Sequence, residues 1–186
     1  MTGVDEAKLD RIVGAVLGSA AGDALGAGYE FTNPAPDRKI AMVGGGGFDW
    51  APGEWTDDTQ MALGILDVIA TGSSDLDAVA SNFLAWYAAG PADVGNQTRS
   101  VLGSAVIPED LAVVAVAFMD ANPEAAGNGA LMRTAPVALA ALDDRTEIAR
   151  LAGSIASLTH AHSDSVAAFV LWSLAIQQAI TTVEPD

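Results

Sequence analysis

A cluster of oxygen-bearing side chains, Thr56, Asp57 and Asp58, stands where a segment rich in Gly and Pro ends. Apolar residues then recur at spacings of three and four, which predicts a helix with one buried face: Met61, Ala62, Ile65, Leu66, Val68 and Ile69. The three polar residues therefore occupy the first turn of that helix. Two kinds of chemistry suit this position, namely helix capping and the coordination of a hard metal ion.

Capping is the simpler interpretation of these three residues. A threonine hydroxyl at an N-cap accepts a hydrogen bond from a free backbone N–H, and carboxylates are favoured near the positive end of the helix dipole. Coordination of Mg²⁺ is the functional interpretation, since this ion prefers oxygen ligands, usually a few carboxylates together with water. The residues alone leave both interpretations open.

Two further acids lie in or just after the first predicted helix, which Asp5 can cap. Asp23 falls near the end of this otherwise apolar helix and suits either a structural carboxylate bonded to nearby backbone groups or a support for a site. Glu30 lies between Tyr29 and Phe31. Apolar neighbours raise the pKa of a carboxyl, which suits a general base, whereas a solvated loop acid is the commoner case.

The Gly127-Asn128-Gly129 stretch also has two interpretations. Asn-Gly tolerates positive φ, so the stretch suits a tight turn. It also leads into a helix predicted to begin at Ala130, whose free N–H groups are suited to a diphosphate. Arg133 lies one turn into that predicted helix, where pairing with a buried acid is the simple expectation.

Two histidines follow the seventh predicted helix, in the stretch Thr159-His160-Ala161-His162. Histidines two residues apart do not share a helix face, so a zinc site is not expected here. A neutral imidazole that hydrogen-bonds a ligand is the functional interpretation of His160. A helix-terminal histidine that interacts with the helix dipole is the structural one.

Composition excludes several classes of function. The chain has no cysteine, which excludes disulfides and thiol catalysis. Its formal net charge is −16, from 24 acidic and 8 basic residues, so it is not expected to bind a nucleic-acid backbone. A ligand that carries phosphates would need metal ions, helix N–H groups or one well-placed arginine to balance its charge.

We expect an all-α fold, a compact bundle of about eight helices that forms a single domain over residues 1–186. Alternating strand patterns are absent from the sequence. Glycine recurs at every fourth residue of the first helix, which indicates a helix or a ligand pressed close against that face: Gly14, Gly18, Gly22 and Gly26.

The uncharged stretch 165–183 approaches the length of a membrane span, but it contains several polar residues and no basic cluster follows it. We therefore interpret it as a helix buried in the bundle. Asp5, Glu6 and Asp10 precede the first apolar run, so a signal peptide is not expected. These observations predict a cytoplasmic protein that is not bound to a membrane.

The stretch Gly53-Glu54-Trp55-Thr56-Asp57-Asp58-Thr59-Gln60-Met61 resembles the first metal motif of the ADP-ribosylglycohydrolase family. Three further stretches resemble that family in the same order, and together the four cover nearly all of the chain: Gly22-Asp23-Ala24-Leu25-Gly26 with Glu30, then Gly127-Asn128-Gly129-Ala130-Leu131-Met132-Arg133, and Thr159-His160-Ala161-His162.

The resemblance implies a hydrolase that removes ADP-ribose from a modified protein side chain, by cleaving an N- or O-glycosidic bond at a pair of Mg²⁺ ions. It implies Thr56, Asp57 and Asp58 as metal ligands. Glu30 is implied to position the attacking water or to act as a base, so that Glu30, Asp57 and Asp58 form the catalytic set. It implies that ADP-ribose is held by Gly127, Asn128, Gly129 and His160.

The chain departs from the family pattern in one respect. The family's second metal motif, Asp-x-Asp-Thr near the C-terminus, does not occur before the sequence stops at Glu184-Pro185-Asp186. We therefore expect an N-terminal part of the family fold that lacks the C-terminal helices and half of the metal ligands. A two-metal site should be weak or absent in this chain alone.

Two explanations of this departure differ in the class of protein. In the first, the chain is part of an incomplete or split enzyme, and a complementing C-terminal chain or self-association covers the apolar surface left exposed. In the second, it is a non-catalytic relative that binds ADP-ribose, another nucleotide or a partner protein.

Overall fold

The protein is built of α-helices, as a computed structural model that describes residues 5–182 shows. Eight α-helices follow one another along the chain: α1 (Glu6–Gly26), α2 (Asp57–Ile69), α3 (Leu76–Ala88), α4 (Asn96–Ser104), α5 (Leu111–Ala121), α6 (Ala135–Leu139), α7 (Arg145–Ser157) and α8 (Ser163–Thr181). Within residues 5–182 no β-strand forms, and one isolated antiparallel bridge links Gly45 and Trp50. The expected all-α fold with eight helices is confirmed, whereas a single domain over 1–186 stays a prediction.

Side-chain caps begin several of these helices. Thr56 caps α2 and accepts from the Asp58 backbone N–H at 3.5 Å, and Asp5 caps α1 by accepting from the Lys8 N–H at 2.6 Å. Asp144 accepts from the first turn of α7. Each of these caps satisfies backbone donors that have no partner inside the helix. The capping interpretation of Thr56 is therefore confirmed.

The hydrophobic core is formed by side chains of α2, α3, α7 and α8. Its centre consists of fully buried side chains: Met61, Ile65, Phe83, Ala152 and Phe169. Two polar contacts hold α2 against α3, since the Trp86 indole N–H donates to the Gln60 side chain at 2.7 Å and the Asn82 amide donates to the Gly64 carbonyl at 2.8 Å. These contacts fix the helix that carries the two neighbouring acids.

The first and last helices leave much of their apolar surface exposed. In α1 only Ala24 is buried, and Leu17 is 62% exposed. In α8 one face is buried, whereas Leu171 and Trp172 are 68% and 54% exposed. The expectation that residues 165–183 form a buried helix is therefore right for one face only, because no described element covers the other side. Val183 lies outside the described residues.

One helical segment, Glu6–Tyr29, is long and apolar enough to cross a membrane by length and composition alone. It includes α1 and the turn that follows it. The mean hydropathy of its most apolar window is 1.2, and 11% of that window is buried. One such helix is weak evidence for a membrane span, and the expectation that the protein does not bind a membrane stays a prediction.

Candidate active site

An open cavity of about 810 Å³ lies between α1, α8 and the start of α2. Such a volume suits a ligand of nucleotide size. Apolar and glycine residues form part of its lining, and the polar residues of the lining form two groups: Gly14, Gly18, Leu131, Trp172 and Ile176 are apolar or glycine, Glu30, Asp57, Asp58 and Asp93 are one polar group, and Asn128 and Gly129 are the other. Nothing lies within 4 Å of the position that a Cβ would take at Gly14 or Gly18, so the glycine row of α1 faces open space.

Four carboxylates that line the cavity also lie close enough for their charges to interact, and we call this group the acidic end: Glu30, Asp57, Asp58 and Asp93. The sequence predicted the first three. Asp93 was missed because it stands in the loop between α3 and α4, where neither periodicity nor a neighbouring acid marks it. The available signal was its position: a polar residue in a Gly-bounded loop that leads into a helix.

Asp23 fixes the start of α2 against the end of α1. Its two carboxylate oxygens accept from the Thr56 backbone N–H at 2.9 and 3.1 Å and from the Thr56 hydroxyl at 2.8 Å. They also accept from the Thr59 N–H at 3.1 Å and the Thr59 hydroxyl at 2.6 Å. Asp23 is thus a structural carboxylate that also supports the site, which unites the two interpretations of this residue.

Burial and mutual repulsion raise the pKa values at the acidic end. The pKa of Asp57 is raised to about 7, by burial first and then by the charges of Asp93, Asp58 and Glu30. Burial, followed by the charges of Asp23, Glu30 and Asp93, raises the pKa of Asp58 to about 6. The pKa of Glu30 is also raised, by burial and then by Asp93 and Asp23. A bound cation would relieve this repulsion.

The donor set at the acidic end fits Mg²⁺ in kind, since every side chain there offers a hard oxygen. The arrangement is incomplete, because no group of three His, Cys, Asp or Glu residues in the described part of the chain is placed to hold a metal ion. The Thr56 hydroxyl already donates to Asp23 and accepts from the Asp58 N–H, which leaves it one lone pair. Thr56, Asp57 and Asp58 as metal ligands therefore stay a prediction.

The loop Gly127–Gly129 brings Asn128 and Gly129 to the cavity, and we call this loop the loop end. A Cβ at Gly129 would lie 3.1 Å from His160 Nε2, and a Cβ at Gly127 would lie 2.8 Å from the Gln97 side-chain oxygen. An added methyl group at either position would therefore require the Gln97 or the His160 side chain to shift. The Ser165 hydroxyl donates to the Gly127 carbonyl at 2.8 Å and ties the loop to α8. Asn128 and Gly129 line the cavity, whereas Gly127 does not.

The helix predicted to begin at Ala130 does not form there. A single 3₁₀ turn, Leu131–Arg133, follows the loop, and the short helix α6 begins only at Ala135. Pro136 explains the difference, because it has no N–H to donate to the Met132 carbonyl and its ring would clash with that carbonyl in a continuous helix. A helix N-terminus is therefore not available at Ala130 to receive a diphosphate.

Arg133 is fully buried and does not pair with an acid. Within residues 5–182, salt bridges join only Lys8 to Asp143 and Arg150 to Glu147. The Arg133 guanidinium instead lies 4.6 Å from the centre of the Phe83 ring and donates to the Thr159 hydroxyl at 2.6 Å. The expected pairing with a buried acid is therefore wrong, because the ring and the hydroxyl occupy that place.

His160 lies behind the loop end and is only 2% exposed. Burial, followed by the nearby Arg133 charge, lowers its pKa to about 3. The ring is therefore neutral at physiological pH, as the functional interpretation requires. His160 and Gly127 are not among the residues that line the large cavity. Contact of Gly127, Asn128, Gly129 and His160 with ADP-ribose stays a prediction.

The sequence of the chain matches a known protein family. The ADP-ribosylglycohydrolase family profile matches residues 5–186. The chain belongs to the ADP-ribosylglycohydrolase family. The resemblance expected from the four sequence motifs is thereby confirmed.

Two named relatives represent the family among characterised sequences. ADP-ribosylarginine hydrolase Tri1 of Pseudomonas putida (strain GB-1) is 38% identical over 143 residues, which cover 72% of this chain and 37% of that protein. ADP-ribosyl-[dinitrogen reductase] glycohydrolase of Rhodospirillum rubrum is 36% identical over 167 residues, which cover 86% of this chain and 54% of that protein.

A solved structure also matches the fold. A chain described as an ADP-ribosylglycohydrolase-related protein complex superposes with a TM-score of 0.72 at 28% identity, over 95% of this chain and 58% of that one. The chain thus spans about half the length, or less, of the relatives that it matches.

Proposed function

We propose that this chain forms the ADP-ribose-binding part of a Mg²⁺-dependent hydrolase, which cleaves the glycosidic bond between ADP-ribose and a protein side chain. The observation that carries the proposal is the cavity that brings Glu30, Asp57 and Asp58 together with Asn128 and Gly129. These residues lie far apart in the sequence, and the family-related stretches that contain them meet around one space of nucleotide size.

We infer that the modified side chain is arginine. Glu30 and Asp58 also border a second cavity of about 470 Å³, lined in addition by Asp23 and Tyr29. A guanidinium leaving group would be attracted to these carboxylates by its positive charge. The relatives named ADP-ribosylarginine hydrolase support the same substrate class.

The residues of the acidic end have distinct roles in this proposal. Thr56, Asp57 and Asp58 would hold Mg²⁺, and the bound ion would supply an activated water and offset negative charge on the substrate. Glu30 positions that water or accepts its proton, and burial raises the pKa of its carboxyl, which suits a general base. At the other end, Asn128 and Gly129 orient the ADP-ribose.

The exposed apolar faces of α1 and α8 support a further element of the proposal. Leu17, Leu171 and Trp172 are each more than half exposed, and Trp172 belongs to the cavity wall. Large uncovered apolar surfaces favour association. We therefore propose that a complementing C-terminal helical segment or a second copy of the chain covers them and supplies the remaining metal ligands. A cytoplasmic location stays a prediction.

A non-catalytic relative that binds ADP-ribose is the second candidate function. The absence of three clustered metal-ligating side chains among residues 5–182 favours it. This protein would bind ADP-ribose through the same cavity without turnover.

Release of ADP-ribose from an ADP-ribosylarginine peptide separates the two functions. The measurement is made on the chain alone and after addition of the segment encoded directly downstream, with Mg²⁺ in both cases. Turnover that depends on Glu30 supports the hydrolase, so Glu30→Gln should abolish it and Glu109→Gln, an exposed acid outside the cavity, should not. Binding of ADP-ribose without turnover in either preparation would contradict the hydrolase and support the non-catalytic relative.

A further inference from the structure

Three buried polar groups connect the interior of the protein to the loop end of the cavity. The Arg133 guanidinium donates to the Thr159 hydroxyl oxygen at 2.6 Å, and that oxygen lies 2.8 Å from His160 Nδ1. All three side chains are at most 2% exposed. Water therefore does not compete for these two hydrogen bonds, and a buried hydroxyl normally has a partner within the protein.

The donors and acceptors available to the Thr159 hydroxyl determine the direction of its hydrogen bond with His160. A hydroxyl has one hydrogen and two lone pairs, and Arg133 can only donate. Arg133 therefore uses one lone pair of the Thr159 oxygen. Among the described residues, the hydroxyl hydrogen has no acceptor other than His160 Nδ1. Leaving the hydrogen of a buried hydroxyl without an acceptor is unfavourable.

We infer that Thr159, whose oxygen accepts from Arg133, is a positioning residue that holds His160 in the neutral tautomer with Nδ1 unprotonated and Nε2 protonated. Nδ1 accepts the Thr159 hydrogen, so the single ring proton resides on Nε2. This nitrogen lies against both glycines of the loop end, since Cβ atoms at Gly127 and Gly129 would lie 3.3 and 3.1 Å from it. The fixed ring thus supports the loop that presents Asn128 to the cavity.

The consequence for ligand binding depends on the proposed function, whereas the tautomer itself does not. A ring held in one orientation by a buried donor keeps the loop in one conformation before ADP-ribose arrives. Such preorganisation lowers the entropy cost of binding. His160 would then act through the loop that it supports.

Nitrogen NMR on protein labelled with ¹⁵N-histidine tests the inference directly. The chain contains two histidines, so His162→Gln assigns the signals of His160. At neutral pH we expect Nδ1 of His160 in the unprotonated chemical-shift range and Nε2 in the protonated range. The opposite pattern in the wild-type protein, with Nδ1 protonated, would overturn the inference without the need for any variant.

Substitutions of Thr159 and Arg133 test the role of each residue. Thr159→Val keeps the shape of the side chain but removes the hydroxyl. In this variant we expect that His160 no longer holds a single tautomer and that the NMR signal of the Gly129 amide shifts. Thr159→Ser should restore both, and Arg133→Met should retain the tautomer, because the Thr159 hydroxyl hydrogen still has His160 Nδ1 as its acceptor. Thr134→Val, at a buried threonine whose hydroxyl donates to the Leu131 carbonyl, is the matched control. A Thr159→Val protein that retains the wild-type tautomer would refute the positioning role.

Activity assays are not part of this test, so its outcome is independent of whether the chain hydrolyses ADP-ribose. If the wild-type protein shows the inferred tautomer but does not bind ADP-ribose, the proposed function is refuted and the tautomer inference stands. Normal ADP-ribose binding with Nδ1 protonated would refute this inference alone.

Discussion

The two ends of the cavity are held in place by different means. At the acidic end, the carboxylates border open space, and Asp23 fixes their backbone with hydrogen bonds from Thr56 and Thr59. At the loop end, two glycines lie against a buried imidazole. We therefore expect the acidic end to respond to cations and pH, and the loop end to respond to added atoms.

Removal of one acid from the α2 pair should have the largest effect. We expect Asp57→Asn to lower Mg²⁺-dependent release of ADP-ribose by the completed enzyme by about 100-fold or more, since a neutral amide is a poor ligand for Mg²⁺. Steady-state rates measured across Mg²⁺ concentrations test this. The control is Asp110→Asn, an acid outside the cavity. Equal rates for wild type and Asp57→Asn would remove Asp57 from the mechanism.

Substitution of Asp23, the carboxylate that supports the acidic end, should have the second-largest effect. Asp23→Asn replaces one acceptor oxygen by an NH₂ group, which would face donors from Thr56 or Thr59. Hydrogen bonds to a charged group contribute about 1.5–3 kcal/mol, so we expect a loss of about 2 kcal/mol in the free energy of unfolding. Urea denaturation measures the change. Asp67→Asn, at an exposed position of α2, should be neutral, and a comparable loss there would contradict this account.

An added methyl group at the loop end should lower the free energy of unfolding by a similar amount or less. The Cβ of Gly129→Ala would lie 3.1 and 3.2 Å from two atoms of the buried His160 ring, so the loop or the ring must move. We expect a loss of about 1–3 kcal/mol. Gly18→Ala is the matched control, because nothing lies within 4 Å of its Cβ position and alanine favours a helix. Equal stabilities of the two variants would show that the loop end is not tightly packed.

The pH dependence of stability distinguishes the two ends with a smaller effect. Because the folded-state pKa values of Asp57 and Asp58 are raised to about 7 and about 6, the folded protein holds protons that the unfolded chain has already released. Their contribution to the free energy of unfolding therefore falls as pH rises from about 4 to 7. The wild type should lose stability relative to Asp57→Asn over this window, in Mg²⁺-free buffer. A difference between the two proteins that does not change with pH would contradict the raised pKa values.

Local sequence patterns predicted the acidic end better than the loop end. The N-cap at Thr56 and the apolar spacing of α2 are contained in one segment, so both could be recognised there. Only its position in a Gly-bounded loop marked Asp93, because its proximity to Glu30 and Asp57 arises from the packing of separate elements. The burial of Arg133 beside Phe83 also depends on residues distant in sequence. Apolar composition predicted buried surfaces for α1 and α8, but composition does not state which neighbour covers them.

We propose above all that the acidic end binds a divalent cation next to the cavity that would hold ADP-ribose. Calorimetric titration of ADP-ribose into the protein, in Mg²⁺ and in EDTA, tests it most directly. We predict affinity about 10-fold or more higher in Mg²⁺, and loss of this enhancement in Asp57→Asn. The same affinity in Mg²⁺ and EDTA, or no binding in either buffer, would contradict the claim.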